Sequence, residues 1–164
     1  RSWGMENFRI DRMTEADLDE CVDLFIDVFT REPWNDVYDS REQVTRFFRN
    51  YMEHPAFAGF LLKDGNGLVA LCVGMKKPWL KGMEYEMDQL CVRPDLQGQG
   101  VGSCFLDLIE REIRKENMNA ILLNTERGFP AEAFYMKNGF CRLEQLVLFS
   151  KELADKKEAQ DGVC

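Results

Sequence analysis

A single histidine, no C-x-x-C pair and no long apolar run narrow this 164-residue chain before any motif is read. His54 stands alone beside Pro55, so no set of imidazoles is available for a metal centre. A Ser-His or Cys-His nucleophile would have only that ring to draw on. No apolar stretch reaches the roughly 18 residues of a membrane-crossing helix, and the first residues lack an apolar leader segment. The expectation is therefore a cytoplasmic protein without a secretory signal. The six cysteines (Cys21, Cys72, Cys91, Cys104, Cys141, Cys164) are scattered, as suits free thiols in a reducing compartment. Positive charge is also short: 21 Lys and Arg against 29 Asp and Glu give a net charge of −8. That balance argues against nucleic acid or an anionic membrane as the partner. It mildly favours a cationic ligand, and solubility alone accounts for it more simply.

What is present fits one domain, expected over residues 5–151. Arg1-Ser-Trp-Gly4 reads as a vector remnant ahead of Met5, and 152–164 as a charged tail. The periodicity predicts a strand at Phe8–Arg12 and an amphipathic helix over 15–30, opened by Thr14 and acids in the first turn. Ser40 caps a second helix carrying Val44, Phe47, Phe48 and Tyr51 on one face, which reads as core packing. Strands follow at Phe57–Lys63 and Leu68–Lys76, joined by the hairpin turn Asp64–Gly67. After a loop at 77–82 come a strand at Glu84–Val92, a helix from Val101 to about Asn117 and a short buried strand at Ala120–Asn124. A helix opened by Pro130, a C-cap at Gly139 and a last strand at Phe140–Ser150 complete the order.

The stretch from Val92 to Gly102 carries the chemistry. A strand ends in a Pro-Asp turn, Gly98, Gly100 and Gly102 alternate, and a helix begins. Free backbone N–H groups at a helix start, with the positive end of its dipole, suit a phosphate. A Gly-rich turn that merely caps a structural helix has the same composition. The spacing is not that of a P-loop, which needs a following Lys, nor G-x-G-x-x-G, since position 103 is Ser103.

Gln97-x-x-Gly100-x-Gly102 resembles the Gln/Arg-x-x-Gly-x-Gly/Ala signature of the GNAT superfamily of acyl-CoA-dependent N-acyltransferases. Ala131-Glu-Ala-Phe134-Tyr135-Met-Lys137-Asn-Gly139-Phe140 is similar to that family's second element, in the right order. The match is sharp over 84–140 and loose over 8–76, and locally it resembles bacterial small-molecule or aminoglycoside-type members. The resemblance implies an α/β fold: a mixed, mostly antiparallel sheet whose fourth and fifth strands splay apart, flanked by about four helices.

It also implies direct acetyl transfer from acetyl-CoA to an amine, without an acyl-enzyme or metal. Leu90, Cys91 and Val92 would line the pantetheine arm, helped by a bulge near Gln89-Leu90. Gln97, Gly98, Gln99, Gly100, Val101 and Gly102 would hold the pyrophosphate, with Phe134 and Lys137 as further cofactor contacts. Tyr135 occupies the general-acid position of the family, the alternative being packing beside Phe134. Glu86 matches the strand position of a catalytic glutamate in some members. Where members often carry Asn, this chain has Gly128, so Asn124 or Thr125 would supply that contact.

Glu84, Glu86 and Asp88 alternate along one strand face, either a solvated stripe or the wall of a site for a cationic amine. Trp34, in Glu32-Pro-Trp-Asn-Asp36, would hold an alkylammonium by cation–π contact or plug a helix junction; Trp79 is a similar candidate. The expected acceptor is a small cationic primary amine. A protein Lys or N-terminal acetyltransferase and a non-catalytic CoA-binding module remain open. Homodimers are common in the family, and no residue here establishes one.

Overall fold

The computed structural model describes residues 7–155; the expected N-terminal remnant and most of the charged tail lie outside them. The chain divides into two compact units, one up to Phe129 and one from Pro130.

The first unit is an open five-stranded sheet with three α-helices. Its elements are β1 (Arg9–Arg12), α1 (Leu18–Phe29), α2 (Arg41–Met52), β2 (Phe57–Asp64), β3 (Gly67–Trp79), β4 (Gly82–Val92), α3 (Val101–Lys115) and β5 (Met118–Leu122). The strands lie in the order β1-β2-β3-β4-β5. The first three pairings are antiparallel, and β4 runs parallel to β5 because α3 crosses between them.

Local chemistry explains most boundaries. Thr14 and Asp17 form a capping box at a short 3-10 turn that leads into α1, with the Thr14 N–H donating to Asp17 Oδ2 at 2.9 Å. Ser40 Oγ accepts from the Gln43 N–H at 3.2 Å and starts α2. The hairpin between β2 and β3 is closed by the Asn66 N–H on Asp64 Oδ1 at 2.7 Å.

The sheet is buried on both faces. Leu61, Leu71, Val73 and Cys91 join the inner faces of α1 and α2 in one cluster with Phe25 and Phe48. Phe60, Leu62, Ala70, Cys72 and Tyr85, equally buried, point the other way by strand alternation. That face is α3's: Arg12 lies over the Phe60 ring at 4.5 Å and pairs with Glu116 at the end of α3. Tyr85 packs on Phe60 and donates its hydroxyl to the Ala58 carbonyl at 2.5 Å.

The second unit holds α4 (Pro130–Lys137). Gly139 closes it at φ 87°, with the Phe140 N–H reaching back to the Tyr135 carbonyl at 3.1 Å.

Three expectations are corrected. The 77–82 loop is mostly strand, because β3 continues to Trp79 and only a tight turn precedes β4. The strand expected at Ala120–Asn124 lies at Met118–Leu122, so Asn124 falls beyond it, exposed. Phe140–Ser150 is not a strand among the described residues: its apolar pattern suits one, but a strand also needs a ladder partner. Instead the Leu146 N–H turns back onto the Leu143 carbonyl at 3.0 Å, and Leu146, Val147, Leu148 and Phe149 are exposed.

Candidate active site

The first unit builds its site where β4 leaves β5. The parallel pairing runs from Met83↔Met118 to Glu86↔Leu122 and stops. Beyond it β4 continues to Val92 with β3 as its ladder partner. The β5-facing backbone groups of Leu90 and Val92 therefore border an opening between the two strands, as the splayed arrangement requires. Both side chains are half-buried, whereas Cys91 turns into the core on the α1–α2 face. Cys91 can therefore serve an extended ligand only through its backbone.

The break coincides with a bulge. Val73 pairs with Gln89 and Gly74 with Met87, so Asp88 is the extra residue on β4. The bulge sits one residue before the position expected. A bulge bends its strand and re-aims the side chain it carries.

At the end of β4 the chain passes through a 3-10 turn, Pro94–Leu96, and reverses into α3. Side chains brace this loop from within. Gln97 Nε2 donates to the Val92 carbonyl at 3.0 Å, Gln99 Nε2 to the Asp95 carbonyl at 3.0 Å, and Arg93 pairs with Asp95 at 2.6 Å. Gly98 and Gly100 stand at φ 75° and 84°, left-handed conformations that few other residues adopt cheaply. Gly100 is the N-cap of α3 and brings no side chain to its first N–H groups. The first turn carries no acid, and Val101 is buried beneath it. At Gly98 the direction in which a Cβ would project is free of protein atoms. Open N–H donors, a helix dipole and this cleared space fit a pyrophosphate.

The acidic residues of β4 do not share one environment. Glu84 is buried, level with Lys77 of β3 and Ala120 of β5. Glu86 is half-buried and pairs with Lys77 at 3.4 Å. Asp88 is exposed at the bulge, and the Tyr51 hydroxyl at the end of α2 bears on its charge. Desolvation and the Glu86 charge raise the Asp88 pKa, against the lowering effect of the Tyr51 hydroxyl. Burial and the Asp88 charge push Tyr51 up to about 12.

Tyr51 was legible in the sequence only as one more apolar position of α2. Its ring does pack, 5.1 Å from Phe47, and its hydroxyl bears on the charge of Asp88. Trp34 is half-buried, edge-on to Phe29 at 5.2 Å and to Phe129 at 6.4 Å, and it packs against the α1–α2 core. That is the plug arrangement rather than an open aromatic wall. Trp79 donates its indole N–H to Asn119 Oδ1 at 2.9 Å.

In the second unit the Tyr135 ring sits between Phe134 and Phe140, each 5.2 Å away. Phe134 and Lys137 lie on the same helix, Lys137 in its last turn. Among the described residues no group of three His, Cys, Asp or Glu side chains could hold a metal ion, and no helix is long and apolar enough to cross a membrane.

A possible acetyltransferase from Clostridium difficile 630 superposes with a TM-score of 0.77 at 15% identity, over 90% of this chain and 99% of that one. An aminoglycoside acetyltransferase from an uncultured soil metagenomic sample, in complex with sisomicin, gives 0.71 at 18% identity over 92% and 99%. Aminoglycoside N-acetyltransferase AAC(6')-Iy, in complex with CoA, gives 0.69 at 12% over 89% and 95%. At these identities the likeness is one of fold. The model of the acetyltransferase (GNAT) family matches residues 18–140, well over half of the sequence, and the chain belongs to that family.

Proposed function

We propose that this chain transfers acetyl from acetyl-CoA to a primary amine of a small cationic acceptor. One observation carries the reading: the edge of β4 freed beyond Glu86 leads into a glycine loop suited to a pyrophosphate, while the bulge presents Asp88 beside the same opening. A thioester donor and a cation would thus meet on one strand. The neutral amine attacks the thioester carbonyl, its carbon–sulfur bond breaks, and the thiolate takes up a proton. Proximity supplies much of the acceleration, and N–H donation to the developing oxyanion adds to it.

Leu90 and Val92 offer backbone groups to the pantetheine arm, and the Gln97–Gly102 loop offers N–H groups to the pyrophosphate. Glu86 takes the proton of the incoming ammonium, directly or through water. Asp88, with Glu84 deeper along the strand, supplies the negative field that attracts it. By the family resemblance Tyr135 protonates the departing thiolate, and Phe134, Lys137 and Asn124 complete the donor contacts. The aminoglycoside acetyltransferases of like fold favour a small acceptor over a protein one.

The test is release of CoA thiol from acetyl-CoA with polyamines, aminoglycosides, amino acids and Lys peptides. Exposed Cys141 makes a blank without acceptor necessary. Turnover with one class of small amine supports the reading. No turnover with any amine, alongside tight acetyl-CoA binding, replaces it with a binding module.

A further inference from the structure

Resting on the acetyltransferase reading, we infer that Lys77 is an internal acceptor: its ε-amine, held against Glu86, is acetylated by the acetyl-CoA that the chain itself binds.

One ammonium of the chain already occupies the acidic stripe of β4. β3 carries two consecutive lysines, and strand alternation sends them to opposite faces. Lys76 pairs with Glu116 at the end of α3, at 2.9 Å. Lys77 stays with the acids of β4: its backbone stands opposite Glu84, and its Nζ lies 3.4 Å from Glu86 Oε2. Glu86 is also the last β4 residue paired with β5. The Lys77 ammonium is therefore held where the two strands begin to part, beside the edge assigned to the thioester donor.

Lys77 has the chemistry of the expected acceptor, a primary amine next to the acid that takes its proton. Its side chain is 52% exposed and ends a flexible four-carbon stem, so it can leave the pair and turn toward the opening. An exposed ion pair of this kind resists such a movement weakly. One ammonium proton passes to Glu86 and on to water. The neutral Nζ attacks the thioester carbonyl, the N–C bond forms, and the C–S bond breaks. The nitrogen's second proton ends on the CoA thiolate. The acetamide left on Lys77 is neutral, so the ion pair is gone and Glu86 is released to receive an ammonium from outside.

Lys115 supplies an internal reference. It is 69% exposed and pairs with Glu112 at 2.8 Å, so it has more exposure than Lys77 and an equally close carboxylate. It stands in the last turn of α3, at the end away from the glycine loop. Exposure and a neighbouring glutamate are thus matched, and place in the fold is what differs.

The experiment incubates the whole chain with carbon-13 acetyl-CoA, without added amine, and follows each lysine by peptide mass spectrometry. Lys77 is expected to gain label roughly tenfold faster than Lys115 or more, at a rate independent of protein concentration. That lead should disappear in urea and shrink in Glu86→Gln. Lys77→Gln, neutral like the acetylated side chain, should lower the KM for an external amine about twofold to fivefold. Lys77 gaining label no faster than Lys115 overturns the inference.

Turnover of spermidine and sisomicin on the same preparation separates the two readings. Turnover with Lys77 unlabelled overturns self-acetylation and leaves the acetyltransferase reading standing. Labelled Lys77 with neither amine consumed supports the internal acceptor. CoA itself, which carries no acetyl group, gives a readout apart from turnover. Once calorimetry shows it bound, it should slow the labelling of Lys77 by succinimidyl acetate and leave Lys115 unchanged. Equal labelling of Lys77 with and without bound CoA places its amine away from the donor and overturns the inference.

Discussion

Replacing Gly98 by alanine separates the strain of the loop from its ligand role. Gly98 lies at φ 75°, where a side chain costs about 1–2 kcal/mol. Alanine returns about 0.4–1 kcal/mol by restricting the unfolded chain. No protein atom lies within 4 Å of the added Cβ, so no clash is expected in the free protein. The net cost is about 1 kcal/mol, a fall in Tm of about 2–4 °C for a chain of this size. With donor present, the methyl group stands between the pyrophosphate and the backbone. Losing one charge-assisted hydrogen bond there weakens acetyl-CoA binding roughly tenfold to a hundredfold. Titration calorimetry with acetyl-CoA, paired with thermal melting, reads both effects. The acceptor KM should stay near wild type. Acetyl-CoA affinity within about twofold of wild type, beside the modest Tm change, would refute the placement of the pyrophosphate on this loop.

Tyr135→Phe should lower kcat by roughly a hundredfold, the usual scale of a lost general acid, with little change in acetyl-CoA affinity; single-turnover kinetics checks this, and an unchanged kcat leaves the ring with packing alone. Burial would raise the Asp17 pKa, but the Thr14 N–H and the Lys63 ammonium at 3.0 Å outweigh it and hold the carboxyl below 3.8. A depressed folded-state value stabilises above the unfolded value and ceases to do so as pH falls through the folded one. Asp17→Asn should therefore cost about 1–2 kcal/mol in urea unfolding at neutral pH, a gap that closes below about pH 4; a constant gap contradicts the assignment. Among the described cysteines, Cys141 should react first with a thiol reagent and Cys104 more slowly. Cys21 and Cys72, buried and pushed up to about 12, should react only on unfolding, as should Cys91; early labelling of any of these three would contradict the packing.

Much of the site was legible because it is local. Gly98 and Gly100 next to a strand end and an amphipathic helix specify a left-handed turn into a helix start, whatever surrounds them. The capped helices at Thr14 and Ser40, and the hairpin at Asp64–Gly67, are likewise short-range hydrogen-bond patterns. The alternation of Glu84, Glu86 and Asp88 reads as one strand face; the strand is as expected, but the bulge at Asp88 breaks the alternation and the three acids differ in burial. Tyr51 was read correctly as packed: its ring lies 5.1 Å from Phe47, against the α1–α2 core.

By itself, then, the sequence determined the order of elements as far as the helix at Pro130, the glycine loop and the family. The tertiary structure alone decided where β4 abandons β5, that Asp88 is the bulged residue, that Lys77 takes Glu86, and that Phe140–Ser150 forms no strand among the described residues. The physical reason is common to all of them. Helix caps and turns close hydrogen bonds within a few residues. Ladder register, bulges and ion pairs depend on which distant segment arrives alongside, and period-two alternation is the same whether or not a partner comes.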